Sequence, residues 1–293
     1  MLTYKSIKEI ADAAVKEQKN ISDIVIVEQA MRLNCSVEEL YEKMAYNFKI
    51  MKESVEEGLS SLKKSISGLS GGDAVKLKKQ LESGLSIGGS FFNKMLQKAI
   101  AVSENNARMG RIVAAPTAGS CGIIPAILIT VSEEYNIPEE KVVMSLFTSA
   151  AIGMVIANRA SISGAEGGCQ AECGSASAMA ASAAVELMGG TPLMVSNACA
   201  IALKSVLGLV CDPVGGLVEI PCIKRNAAGA ANALAAAEMA LAGIESIIPA
   251  DEVIDAMDSI GNIMPWVLKE TAEGGLAATP TARKLFKNKC CSW

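Results

Sequence analysis

Residues 174–190 read GSASAMAASAAVELMGG: alanine, serine and methionine bounded by glycines, with Glu186 as the single charge. Alanine is the strongest helix former, whereas strands favour β-branched and aromatic residues, of which this run holds one, Val185. A helix so nearly neutral all round belongs inside, where small side chains let neighbouring backbones come close. The composition recurs in MSLFTSAAIGMVIANRA at 144–160 and NACAIALKSVLGLV at 197–210. The expected fold is therefore all-α, a compact bundle of closely packed small-residue helices. Neither a strand–helix alternation nor a fixed internal repeat competes with that reading.

Outward from this apolar middle, charge rises sharply. More than half of the charged side chains lie in residues 1–110, and only ten lie between 112 and 210. The first part, 1–110, reads as charged amphipathic helices. SVEELYEKMAYNFKIMKESVEEGLSSLKKSI starts with Ser36, has Glu39 three positions on, and then shows apolar residues at helical spacing. SGLSGGDAVKL, around Gly71 and Gly72, breaks the pattern as a connection. The C-terminal part continues through NAAGAANALAAAEMALAG, and PADEVIDAMDSIGNIM opens a further helix with acidic residues in its first turn. One domain spanning 1–293 accommodates all of this.

The 293 residues, 51% hydrophobic, suffice for a large core. A net charge of -4 and 4% aromatic content leave no basic footprint and few stacking platforms, which argues against nucleic acid as a partner. MLTYKSIKEIADAAVKEQKN is charged and amphipathic, unlike a signal peptide, so a cytoplasmic location is expected. Residues 112–132 lack charge over a bilayer-spanning length, but Pro116, Gly119, Gly122 and Pro125 interrupt them. Arg159, Glu186 and Lys204 cut the other apolar runs, and no membrane insertion is expected. Nine cysteines, an odd number in so long a chain, suit metal ligands, buried thiols or redox groups better than a disulfide framework.

With no histidine, the chain lacks Ser-His-Asp and Cys-His catalysis, histidine zinc sites and the usual general base. There is no P-loop and no strand-flanked dinucleotide fingerprint. Thiols, hydroxyls and glycines concentrate instead in APTAGSCG (115–122), SGAEGGCQAECG (163–174), CDPVGG (211–216) and PCIKRN (221–226). Each sets polar or thiol groups where Gly or Pro interrupts a helix, and free backbone N–H groups at such turns suit an anion or sulfur. Interhelical packing is the bland reading of the same residues. No C-x2-C pair marks a zinc or ferredoxin-type site.

The longer segments MGRIVAAPTAGSCGIIPA, SGAEGGCQAECGSASAMAA and CDPVGGLVEIPCIKRNA resemble, in order, the signature segments of the alpha chain of iron-sulfur-dependent L-serine dehydratase. The resemblance covers essentially the whole chain. It implies a mainly helical catalytic domain holding a 4Fe-4S cluster through three cysteines, which fall on Cys169, Cys211 and Cys222. An iron left without a protein ligand has a place for substrate, so the cluster would act as a Lewis acid on serine's hydroxyl during α,β-elimination. Pyruvate and ammonia are the implied products.

Within that frame Thr117, Ser120, Cys121 and Gly122 are candidates to grip the substrate carboxylate. Asn226, with Lys224 or Arg225, would fix the amino acid or counter the cluster's charge. Glu166 and Lys224 are the candidate proton-transfer groups, Glu166 being equally readable as a helix cap or supporting hydrogen-bond partner. Cys173 reads as a small buried residue, as do Cys35 and Cys199 within helical patterns. Two departures matter. Single-chain members carry a further domain with an SSSHT-type segment, which lies on a beta chain in two-chain members and is absent here, so a beta chain is the implied partner. Some members end in a cysteine that caps the cluster, whereas here Cys290 and Cys291 precede Ser292 and Trp293. A non-catalytic iron-sulfur redox or iron-sensing protein is the alternative. A pyridoxal-phosphate dehydratase would need a Schiff-base lysine in an α/β phosphate-binding context, which the sequence does not offer.

Overall fold

The computed structural model describes residues 4–287 and is built from helices, with no strand among the described residues. The charged first part forms α1 (Ile7–Glu17), α2 (Ile21–Leu33), α3 (Val37–Ser60), α4 (Asp73–Glu82) and α5 (Gly89–Ala107). The apolar middle forms α6 (Ile123–Tyr135), α7 (Glu139–Arg159), the one-turn α8 (Gly164–Gly167), α9 (Ser175–Leu187) and α10 (Pro192–Lys204). α11 (Cys222–Leu241), α12 (Ala250–Ile263) and α13 (Pro280–Lys287) complete the order. The all-α expectation holds.

The helix ends follow local chemistry. Ser36 accepts a hydrogen bond from the Glu39 amide at 3.0 Å at the start of α3, and residues 61–72 carry the chain across to α4. Asp251, in the acidic first turn of α12, accepts from the amides of Ile7 and Lys8 at 2.8 and 3.0 Å, which ties the first helix to the twelfth. Cys199 is buried in α10, as expected. Cys35 differs: it lies half-buried in the connection between α2 and α3, because Asn34 turns left-handed and ends the helix one residue earlier.

The element that decides the architecture is α9. Every residue from Ser175 to Leu187 is buried, and α6, α7, α10 and α11 pack around it. The close approach depends on small residues on both sides. A Cβ on Gly229 of α11 would stand 2.5 Å from Ile123 and 3.1 Å from the Ser177 hydroxyl. α7 has the length and mean hydropathy of a membrane span, yet 67% of its apolar window is buried inside the protein, where it packs on α9, α2 and α3.

Glu186 joins three helices from the end of α9. One carboxylate oxygen accepts from the Ile21 and Ser22 amides at 3.0 and 3.3 Å, capping α2, and from the Thr148 hydroxyl of α7 at 2.7 Å. Burial pushes this carboxyl above the usual carboxylate range, more than those hydrogen bonds pull it down. A raised folded-state value means the native chain holds the proton more tightly than the unfolded chain. The group's contribution therefore favours folding at low pH and is lost as pH rises through the folded value. Glu186→Gln keeps the acceptor without the charge. Its stability relative to the parent, read from denaturant midpoints between about pH 4 and 8, should rise with pH. Parallel profiles for the two proteins would contradict this role.

Candidate functional site

The four polar stretches singled out in the sequence meet at one end of α9 and α11. α8 ends at Gly168, whose φ of +76° turns the chain left-handed where a Cβ would press on Met264 and the Leu209 carbonyl at 2.7 and 2.9 Å. Cys169 follows, and residues Gln170–Gly174 form a π-helical turn leading into α9. Gln170, fully buried, pins this turn on the side of α12: its amide nitrogen donates to the Met257 carbonyl at 3.0 Å and its oxygen accepts from the Gly208 amide at 2.8 Å.

Cys211 is held by backbone alone. Its amide donates to the Leu268 carbonyl and its carbonyl accepts from the Glu270 amide, each at 2.8 Å, in an isolated parallel bridge with Lys269. α8 lies directly against its sulfur: a Cβ on Gly164 would be 2.9 Å from Cys211 Sγ and 3.2 Å from Glu270 Oε2. Cys222 is the first residue of α11.

Electrostatics bind these groups into one site. Cys169 accepts a hydrogen bond from the Cys173 thiol, which pulls its pKa down against the effect of burial, with help from Arg225. Cys173 moves well up through that same bond and through burial. Burial pushes Cys211 up, reinforced by Cys169, Glu270, Glu172 and Cys222. It pushes Cys222 up to about 12, reinforced by Cys169 and Glu172. Cys211 thus feels both Cys169 and Cys222, and Cys222 feels Cys169. Arg225, three residues after Cys222, pairs with Asp212 at 2.8 Å and donates to the Val210 carbonyl at 2.8 Å. Burial opposes its charge, but Cys169 and Asp212 outweigh that, and its pKa is raised.

The TAGSCG turn forms the neighbouring wall. Thr117 donates to Glu172 Oε1 and lies 3.1 Å from the Ser120 hydroxyl, while Gly119 leaves no room for a Cβ, which would meet Glu172 Oε1 at 2.5 Å. Asn226 is buried and clamps this turn to α11. Its oxygen accepts from the Gly122 amide at 2.8 Å, and its nitrogen donates to the Gly119 and Cys222 carbonyls at 2.7 and 3.0 Å. The Asn226 amide is committed to backbone, and the Gly122 N–H is committed to Asn226. Ser120 and Cys121 are buried, and burial raises the Cys121 thiol to about 12, which leaves Thr117 as the half-exposed polar group of the turn.

Two candidates face elsewhere. Glu166 accepts from the Ser161 hydroxyl at 2.5 Å and lines a polar cleft with Asp258, Asn262 and Lys269 on the α12 side of α8. Lys224 extends outward to Asp73, 3.0 Å away. The acidic groups at the thiols are Glu172 and Glu270. Glu172 was not among the sequence candidates, and its place three residues after Cys169 was the one local signal for it. Glu270 had no local signal; it sits in a loop with φ 61°, an uncommon conformation for a residue with a Cβ. Cys290 and Cys291 lie outside the described residues.

A family profile described as serine dehydratase alpha chain matches residues 16–277. The chain belongs to that family. It is similar to the probable L-serine dehydratase alpha chain of Bacillus subtilis, at 52% identity covering 97% of this chain and 94% of that one. It is also similar to the L-serine dehydratase alpha chain of Peptoniphilus asaccharolyticus, at 44% identity covering 96% of each. The L-serine dehydratase of Helicobacter pylori is longer: at 37% identity, 94% of this chain matches 62% of that protein.

Proposed function

We propose that this family member is the catalytic alpha subunit of an L-serine dehydratase, with Cys169, Cys211 and Cys222 holding a 4Fe-4S cluster. What supports the reading is that Cys211 feels Cys169 and Cys222, and Cys222 feels Cys169, beside Arg225 and the TAGSCG wall. The donor set fits such a group: three soft sulfurs, a half-buried guanidinium to balance thiolate charge, and a glycine at 164 that leaves room for the Cys211 sulfur. When bound, the cluster supplies a Lewis-acidic iron that polarises serine's hydroxyl and eases its departure.

The chain's own residues bind and orient. Thr117, whose hydroxyl donates to Glu172 in the free chain, turns to the substrate carboxylate as the α-ammonium takes its place on Glu172. Asn226 fixes the distance between that turn and Cys222. Removal of the α-proton and departure of the β-hydroxyl, together one molecule of water, give aminoacrylate, which takes up water to release pyruvate and ammonia. The chain contains no histidine, and the longer Helicobacter pylori relative supports a second chain that completes the site. Anaerobic reconstitution with iron and sulfide, followed by addition of that partner and L-serine, should give pyruvate only when both chains are present. Iron-sulfur absorption without any serine turnover would instead favour a sensing role.

A further inference from the structure

Cys173 has no part in the reading above, yet it stands inside the site. One ligand atom from each of Cys169, Glu172 and Cys173 lies within 4.8 Å of the other two. Their spacing, i, i+3 and i+4, puts them on one face of a helical turn, and Gln170 fixes that face by anchoring the opposite side to α12. Both sulfurs are buried and joined by a hydrogen bond, whereas Glu172 is partly open, so the trio is closed at its sulfur end and accessible at its carboxylate.

We propose that the cluster-free chain holds one divalent ion of the zinc class through the thiolates of Cys169 and Cys173 and one oxygen of Glu172, with water in the fourth position. Two thiolates and a carboxylate select zinc or cobalt(II) over magnesium or calcium. Binding replaces the two thiol protons, which go to solvent. The ion's two positive charges meet three negative ones, and Arg225 beside Cys169 offsets the remaining charge. Because Cys169 also belongs to the three-cysteine set, the two metals exclude one another; this consequence alone rests on the function proposed above.

The test uses the full chain, freed of metal under anaerobic reducing conditions and titrated with cobalt(II) alone. One equivalent should produce thiolate-to-cobalt charge-transfer absorption with tetrahedral visible bands, reversed by zinc. Cys173→Ala and the nearly isosteric Cys173→Ser, each checked for unchanged helical circular dichroism, should lose the two-thiolate spectrum. Glu172→Gln should bind about tenfold more weakly or worse, and Cys211→Ala and Cys222→Ala should bind as the parent does. A spectrum that survives loss of Cys173, or that needs Cys211 or Cys222, overturns the site. Parent chain preloaded with zinc should fail to build iron-sulfur absorption that Cys173→Ala still builds, and cluster formation unaffected by zinc overturns the exclusion. If the metal-free parent forms no iron-sulfur chromophore at all, the function reading fails while the cobalt arm still decides this site.

Discussion

Cys211→Ser is expected to abolish iron-sulfur absorption in the reconstituted chain and to lower serine turnover by about a thousandfold or more, roughly 4 kcal/mol of barrier. A serine oxygen is a harder donor than sulfur, remains protonated at neutral pH and reaches less far, so one corner of the three-thiol set is lost. The backbone around it should not change. The bonds holding residue 211 run from its amide to Leu268 and from the Glu270 amide to its carbonyl, and neither involves the side chain. Helical circular dichroism should therefore match the parent. A variant that still builds the parent's absorption spectrum would remove Cys211 from the ligand set.

Asn226→Ala is the second large effect, and it acts through structure. The side chain satisfies one backbone amide and two backbone carbonyls in a buried position. Each group left without a partner costs on the order of 1 to 3 kcal/mol, and partial relaxation brings the expected total to about 3 kcal/mol. Asn226→Asp should also be impaired, because an ionised carboxylate cannot donate to the Gly119 and Cys222 carbonyls. Denaturant unfolding measures the stability. In the complete enzyme the serine KM should rise as well, because the TAGSCG turn loses its link to α11. Parent-like stability and KM would show that the clamp does not hold the turn.

Much of the fold was legible because local and global signals agree. The small-residue run at 174–190 is helical by propensity and neutral all round, and it became the fully buried α9. Ser36 capped the helix it was expected to cap. Cys35 was misplaced because an apolar pattern does not reveal which asparagine turns left-handed. The orientation of acidic residues around the thiols was also hidden. In an unbroken α-helix Glu166 and Cys169 would share a face, but Gly168 resets the direction of the chain and the π-helical turn changes the spacing after it. Glu166 therefore meets Ser161, while Glu172 meets Thr117. Glu270 reaches the site by chain topology, through the bridge at Cys211, which no short window of sequence encodes.

The burial of α9 over its whole length bears on the order in which the enzyme is made. Its thirteen residues are all buried, and Cys169 and Cys173 join the same core just before its first turn. A core of this size supplies folding energy without help from a metal, unlike small domains whose metal ions replace a core. On the function proposed above, iron delivery would be a late maturation step on a finished scaffold. Metal supply would then set the fraction of active molecules, and the number of folded ones would be set independently.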